Sequence, residues 1–279
     1  MVRHWVVVLL CVAVAALVAA SASQADYTYV TERVNLNRLG LQSNGGSWAP
    51  SMSADGRYVA WHSWATDLIV GDKDGLYDVY LRDRLLGVNY LISATSAGLL
   101  ENGQSLYPYI SADGMSVAFS SVATNLVPGD TNGVEDVFVR DWMAGVLERV
   151  SVATSGEQGN AASNSAVVSG DGRFVAFESD ATNLIPGGNP RTGIYVRDRL
   201  NQATECVSAS TGGMLGSQNS SNPAITPDGR YVAFTPWAGN LVAGDNNNTT
   251  DTFLRDRQTG TTERVSVATL TGAQGNGSC

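Results

Sequence analysis

Three short acidic loops hold the residues of this chain best suited to chemistry. They read GDKDGLYD, GDTNGVED and GDNNNTTD, with oxygen-bearing side chains at the first, third and seventh positions counted from the first aspartate. Those residues are Asp72, Asp74 and Asp78; Asp130, Asn132 and Asp136; and Asp245, Asn247 and Asp251. Alternating Asp and Asn around a tight turn is how proteins cage Ca2+, a hard cation that takes oxygen ligands. The loops depart from the EF-hand pattern, because the fifth ligand and the bidentate glutamate at the twelfth position are missing. A further copy carries Gly187, Asn189 and Gly193 at these places and has lost its carboxylates. The competing explanation is that Asp and Asn-Gly make the turn through local hydrogen bonds. Ca2+ is the one cofactor the sequence nominates, as an alternative to none.

Aromatic residues that break the pattern form a second group. Trp64 and Trp237 stand where other copies have Val122 and Asp180, and Trp142 follows a strand. Exposed aromatics beside loops grip partners, so these three are candidate partner contacts, with hydrophobic packing as the alternative. Arg82-Asp83, Arg140-Asp141, Arg197-Asp198 and Arg255-Asp256 occur in every copy. They are expected to serve structure, the aspartate starting a turn and the arginine reaching an adjacent copy. No catalytic residue is nominated. Beyond His4 in the leader, the chain has one histidine, His62, and no G-x-S-x-G elbow, P-loop or His/Cys cluster.

The elements that position these residues come from an internal repeat. SADGRYVAW begins at Ser53, SADGMSVAF at Ser111, SGDGRFVAF at Ser169 and TPDGRYVAF at Thr226, at spacings of 58, 58 and 57. Each is followed by an ATNL-like segment, then by DVYLRD, DVFVRD, GIYVRD or DTFLRD, then by a run ending in NYLIS, ERVS or ECVS. Each copy therefore predicts four strands, A to D. Asp-Gly between two β-rich runs is a hairpin signal, predicting a turn with positive φ at both central residues. Strands B and C are apolar on successive positions, as in Tyr58, Val59, Ala60 and Trp61. A sheet with one wet face would alternate, so these sheets are covered on both sides. A four-stranded unit buried between copies of itself describes a β-propeller blade.

PSMSADGRYVAW, PYISADGMSVAF and PAITPDGRYVAF resemble the Pro, then Ser-Pro-Asp-Gly-Arg, then Ala-Phe signature of TolB-like, WD-repeat-like propellers, though the third copy, AVVSGDGRFVAF, lacks the leading proline. The resemblance spans about Tyr27 to Asn276 and implies the fold. For function it implies only a range, from periplasmic translocation factors to the propeller domains of peptidases.

The expected fold is thus all-β: four four-stranded blades of about 58 residues, at about 48–95, 106–153, 164–209 and 221–267, within a propeller domain over 26–279. YVTERVNLNRLGLQSNGG predicts an extra N-terminal strand at about 28–36. Three arrangements fit: a piece of a longer propeller, a four-bladed ring with a spare strand, or an arc that closes by self-association. Residues 1–25 have the three-part layout of a signal peptide: the basic start MVRH, the apolar run WVVVLLCVAVAALVAA and the small residues of SASQAD. The alternative is an uncleaved anchor. Cleavage predicts a secreted or periplasmic protein with no membrane span. The net charge of −9 argues against nucleic acid as a partner. Two functional classes follow. One is an exported, non-catalytic scaffold that binds a protein or cell-envelope component. The other is an extracellular hydrolase or lyase, or the propeller part of a peptidase, with an acidic site at the propeller axis.

Overall fold

Sixteen strands and no helix form among the described residues, which in this computed structural model are 30–247, 249–268 and 275. The strands make four antiparallel four-stranded sheets, each in simple sequence order. The first holds β1 (Ser47–Met52), β2 (Tyr58–Ser63), β3 (Asp78–Asp83) and β4 (Val88–Leu91). The second holds β5 (Ser105–Ile110), β6 (Ser116–Ser121), β7 (Asp136–Asp141) and β8 (Val146–Arg149). The third holds β9 (Ser163–Val168), β10 (Phe174–Ser179), β11 (Gly193–Asp198) and β12 (Ala203–Cys206). The fourth holds β13 (Ser220–Ile225), β14 (Tyr231–Pro236), β15 (Phe253–Asp256) and β16 (Thr261–Arg264). Each sheet is one sequence copy, and the strands fall in the order A to D.

The cores lie between sheets, as expected of strands that are apolar on both faces. Tyr58, Ala60, Val79 and Leu81 of the first sheet bury against Ile110, Val117 and Phe119 of the second. Ala118, Val137 and Val139 of the second meet Val168, Val175 and Phe177 of the third. Ala176, Ile194 and Val196 of the third meet Val232, Phe234 and Phe253 of the fourth. Within all four sheets a ring pair stacks across strands B and C: Trp61 on Tyr80, Phe119 on Phe138, Phe177 on Tyr195, and Phe234 on Phe253. The A strands pack in succession, β1 on β5, β5 on β9 and β9 on β13. Backbone bonds tie the sheets at the same places, Ser105 N to Tyr77 O, Ser163 N to Glu135 O and Ser220 N to Thr192 O. These are the blades of a β-propeller. Packing of similar extent joins each blade to the next, while among the described residues no strand of the fourth packs on a strand of the first to that extent.

Two expectations are corrected. The Asp-Gly turns have positive φ at the glycine alone: Gly56, Gly114, Gly172 and Gly229. The connection spans five residues, Ser53 to Arg57 in the first blade, and closes with a bond from Gly56 N to Ser53 O. Asp55 stays at negative φ because its carboxylate has another task, accepting from Ser53 Oγ at 2.6 Å and from Arg57 N at 3.0 Å. The turn is one of the longer hairpin loops in which a glycine follows a type I bend. The extra strand over 28–36 is not formed in its described part. Residues 30–35 join no ladder, and Leu36 makes an isolated bridge with Gln42. A strand D pairs with its own strand C, and none stands beside this segment among the described residues. Leu36–Gln42 instead repeats the bridges Val152–Gln158 and Ala209–Leu215 that follow strand D in the second and third blades. Val34 from this segment covers Val59, Trp61 and Tyr80 on the outer face of the first blade. The expected signal segment lies outside the described residues. Within them, no helix is long and apolar enough to cross a membrane.

Candidate functional site

The acidic loops sit at one end of the blades, where strand B passes to strand C. The third-position residue makes the turn in every blade. Asp74 accepts from Leu76 N at 3.0 Å, Asn132 from Val134 N at 3.2 Å, Asn189 from Arg191 N at 3.2 Å and Asn247 from Thr249 N at 3.1 Å. The local explanation of these loops therefore holds for that residue. It does not account for the aspartates at the first and seventh positions, which are buried in all three acidic blades.

The four blades treat this place in three ways. In the second blade, Arg149 at the end of β8 sits between Asp130 at 3.2 Å and Asp136 at 3.3 Å. Asp136 also accepts from Ser151 Oγ at 2.5 Å and Asn132 Nδ2 at 3.0 Å. The fourth blade repeats the arrangement, with Arg264 3.5 Å from Asp245 and 3.7 Å from Asp251, Ser266 and Asn247 completing Asp251. The third blade is neutral: Asn189 donates to Cys206 Sγ at 3.9 Å, and the Tyr195 phenol lies buried beside them. Asp130 and Asp136, nominated with Asn132 as cation ligands, thus meet Arg149, and Asp245 and Asp251, nominated with Asn247, meet Arg264. A guanidinium already occupies the position a cation would take.

The first blade has no such arginine. Leu91 stands at the position of Arg149, Cys206 and Arg264, and Asp74 replaces the amide of Asn132. Asp72, Asp74 and Asp78 each bring one carboxylate oxygen to within 4.8 Å of the others. A fourth carboxylate, Glu101, adjoins Asp78. It occupies the position of Gly159 in the second blade and was not nominated from sequence. Aligning NYLIS with ERVS, and LENG with QGNA, shows both exchanges once the pocket's members are known. The Tyr80 hydroxyl donates to Asp72 and lies 3.3 Å from Asp78. Burial pushes the Asp72, Asp78 and Glu101 carboxyls above their ordinary range, Asp78 to about 10 with the adjoining Glu101 raising it further.

A different site lies where the four A strands converge. In each, two residues face one on strand B, so the register shifts after Trp48, Leu106, Asn164 and Ser221. The first bulged residue takes positive φ although it is not glycine: Ala49 at 48°, Tyr107 at 52°, Ser165 at 53° and Asn222 at 56°. The second is Pro50, Pro108, Ala166 or Pro223. Proline suits a bulge because it has no N–H to contribute to the ladder. These residues surround a cleft of about 370 Å³ lined by Ala, Pro, Ser, Tyr, Val and Asn, with no carboxylate, histidine or cysteine. The acidic axial site considered from sequence finds no carboxylate in this lining. Tyr107 and Tyr109 are exposed at the cleft. His62 is buried beneath it, its pKa lowered by desolvation, and its Nδ1 accepts Tyr107 N at 3.2 Å. Glu178 does the same for Asn222 N at 2.7 Å. His62 is thus an acceptor for the next blade's bulge. Trp48, Tyr77 and Tyr107 enclose its ring.

The three nominated tryptophans part company. Trp64 and Trp237 are exposed at the loop end of their blades. Trp142 is half-buried, packs on Tyr58 and Tyr90, and donates its indole N–H to Gly114 O at 2.7 Å. Arg84, Arg199 and Arg257 make the corresponding bond to Gly56 O, Gly172 O and Gly229 O. Trp142 therefore stands in for an arginine inside a seam. The Arg-Asp pairs are structural, as expected. Arg140 donates to Ala94 O and Thr95 O of the preceding blade, Arg197 to Ala153 O, and Arg255 to Ser210 O. Asp83, Asp198 and Asp256 cap the following turn, as Asp83 does for Leu85 N and Leu86 N.

No family model matches the sequence, and no curated protein matches it. Solved structures similar to it include TolB from Acinetobacter baumannii, 19% identical over 81% of this chain and 44% of that one, with a TM-score of 0.48. The β-propeller domain of the Trilobed protease from Pyrococcus furiosus is 13% identical over 79% of this chain and 57% of that one, TM-score 0.48. A puromycin-hydrolyzing peptidase from Mycobacterium tuberculosis is 14% identical over 80% of this chain and 29% of that one, TM-score 0.48. The chain spans less than half the length of the Acinetobacter protein. At these scores the likeness adds no argument, and the class, a β-propeller repeat protein, rests on the sheets themselves.

Proposed function

We propose that this chain is an exported, non-catalytic propeller that binds a protein segment, for example one on a cell-envelope component, at the cleft between its A strands. One observation carries this reading. Four bulges converge on a cleft whose walls are small, proline and tyrosine side chains, and its lining holds no carboxylate, histidine, cysteine or lysine to activate a serine or tyrosine there. Apolar concave walls with a few polar groups suit a bound segment, and tyrosine supplies contact area at low entropic cost. The leader-like residues 1–25 support export. Trp64 and Trp237 supply further exposed contact area away from the cleft.

The test is affinity capture from envelope extract, comparing the purified protein with a Tyr107→Ser/Tyr109→Ser variant. The expected result is a discrete captured protein, lost with the variant while the melting temperature changes little. Capture that survives this variant but is lost with Trp64→Ser/Trp237→Ser moves the contact to the loop end. Reproducible hydrolase or lyase turnover that follows an acidic residue overturns the reading.

A further inference from the structure

We propose that the first blade binds a single hard divalent cation, Ca2+, between Asp72, Asp74 and Asp78, with Glu101 beside Asp78 adding a further negative charge, and that the other three blades do not. The proposal is independent of the axial cleft.

The internal repeat supplies the control. One location in the fold is built four times from nearly the same sequence, so differences between copies isolate what each copy needs. The second and fourth blades put two buried carboxylates there and meet them with Arg149 and Arg264. The third removes the carboxylates and has Cys206 in the arginine's place. The first keeps both carboxylates, adds Asp74 and Glu101, and exchanges the arginine for Leu91. No ion pair joins Asp72, Asp74, Asp78 or Glu101 to a Lys or Arg among the described residues.

A second observation points to a ligand. Asp72 Oδ1 and Asp78 Oδ1 are buried without a hydrogen-bond partner, in residues 2% and 0% exposed, and Glu101, 3% exposed, has only Asp78, Ser93 and Ser105 beside its carboxylate, none in good bonding geometry. The equivalent oxygen of Asp136 receives Ser151 Oγ at 2.5 Å. In the first blade Ser93 Oγ still accepts Val79 N at 2.9 Å, yet Asp78 Oδ1 stays open. Burying a carboxylate with neither partner nor counter-charge costs several kcal/mol per ion, so the pocket calls for positive charge from outside the chain. The donors are all oxygen, which excludes the softer metals as preferred guests and suits Ca2+, with water completing its roughly six to eight ligands. Asp74 is exposed, which leaves the cluster open to solvent on its side.

The test is calorimetric titration of the EDTA-treated protein with CaCl2, paired with thermal melts in about 10 mM Ca2+ or in EDTA. The expected result is saturable binding of one ion per chain and a melting temperature raised by about 3–10 °C, the range for a site of extracellular affinity in a chain of this length. Glu101→Gln should weaken binding about tenfold or more. Leu91→Arg should supply the guanidinium of the second blade, abolish the calcium response and leave the protein folded in EDTA. Asp130→Asn should leave the response intact. Wild-type melts that coincide in Ca2+ and EDTA, with no binding heat, overturn the proposal and leave the carboxylates sharing protons. Binding of several ions per chain, or a response that survives in Leu91→Arg, overturns the assignment to this pocket.

Discussion

Arg149 shows how much of this fold depends on matching single charges. Its side chain and those of Asp130 and Asp136 are almost wholly buried, so removing the cation strands two carboxylates. Arg149→Leu should cost about 3–5 kcal/mol, read as a lower urea midpoint with an unchanged slope. Leucine is the natural residue at the same place one blade earlier, so the loss would come from the charges and not from the shape. A second residue-scale prediction concerns acid. Hydrogen bonds from Arg173 hold Asp198 at about 2, against about 3.9 in an unfolded chain. Folding therefore favours the ionised form. That contribution is complete above about pH 4 and is lost as pH falls through 2. Acid titrations of stability should show Arg173→Ala losing this dependence on the acid side while differing little in shape near neutrality. The members of these sites differed in how visible they were. The loop aspartates declared themselves by spacing. Glu101 and Leu91 did not, because each looks ordinary alone and means something only beside its equivalents in the other copies.

The A strand is the element in which sequence and structure part most instructively. A proline within a strand pattern signals a bulge or an edge, and Pro50, Pro108 and Pro223 carried that signal. The positive φ of the first bulged residue was not visible, since Ala49, Tyr107, Ser165 and Asn222 do not advertise it as glycine does. The Asp-Gly connection was placed correctly but given the wrong conformation. Dipeptide preference does not register that the aspartate is occupied by Ser53 and Arg57, and that bonding is what keeps Asp55 at negative φ. The bulges also define a mutational test. Ala49→Val puts a β-branched residue at φ 48° and should cost about 1–3 kcal/mol, whereas Ala49→Gly should be tolerated. Comparing the two by thermal melting separates backbone strain from loss of the side chain.

At the scale of the whole molecule, the architecture was legible because apolar strands without alternation need cover on both faces. The structure shows the rule at work from both sides. The B strands β2 and β6, each with cover on both faces, are buried along their whole length, while β14 of the fourth blade alternates between buried and half-buried. Stability should accordingly pass from neighbour to neighbour. Phe177→Ala, at the seam of the second and third blades, should cost about 3–5 kcal/mol. Scanning calorimetry should record this as a lowered transition for both blades together. The seams are not equivalent, however. Three blades pair the aspartate of strand C with their own arginine, Arg57 with Asp83, Arg173 with Asp198 and Arg230 with Asp256. The second carries Met115 at that position, and its Asp141 is met at 2.7 Å by Arg199 from the third. The modules have thus lost their interchangeability. A gene rebuilt with the second copy moved to the end would keep every motif, yet leave Asp141 without the following blade that supplies its cation.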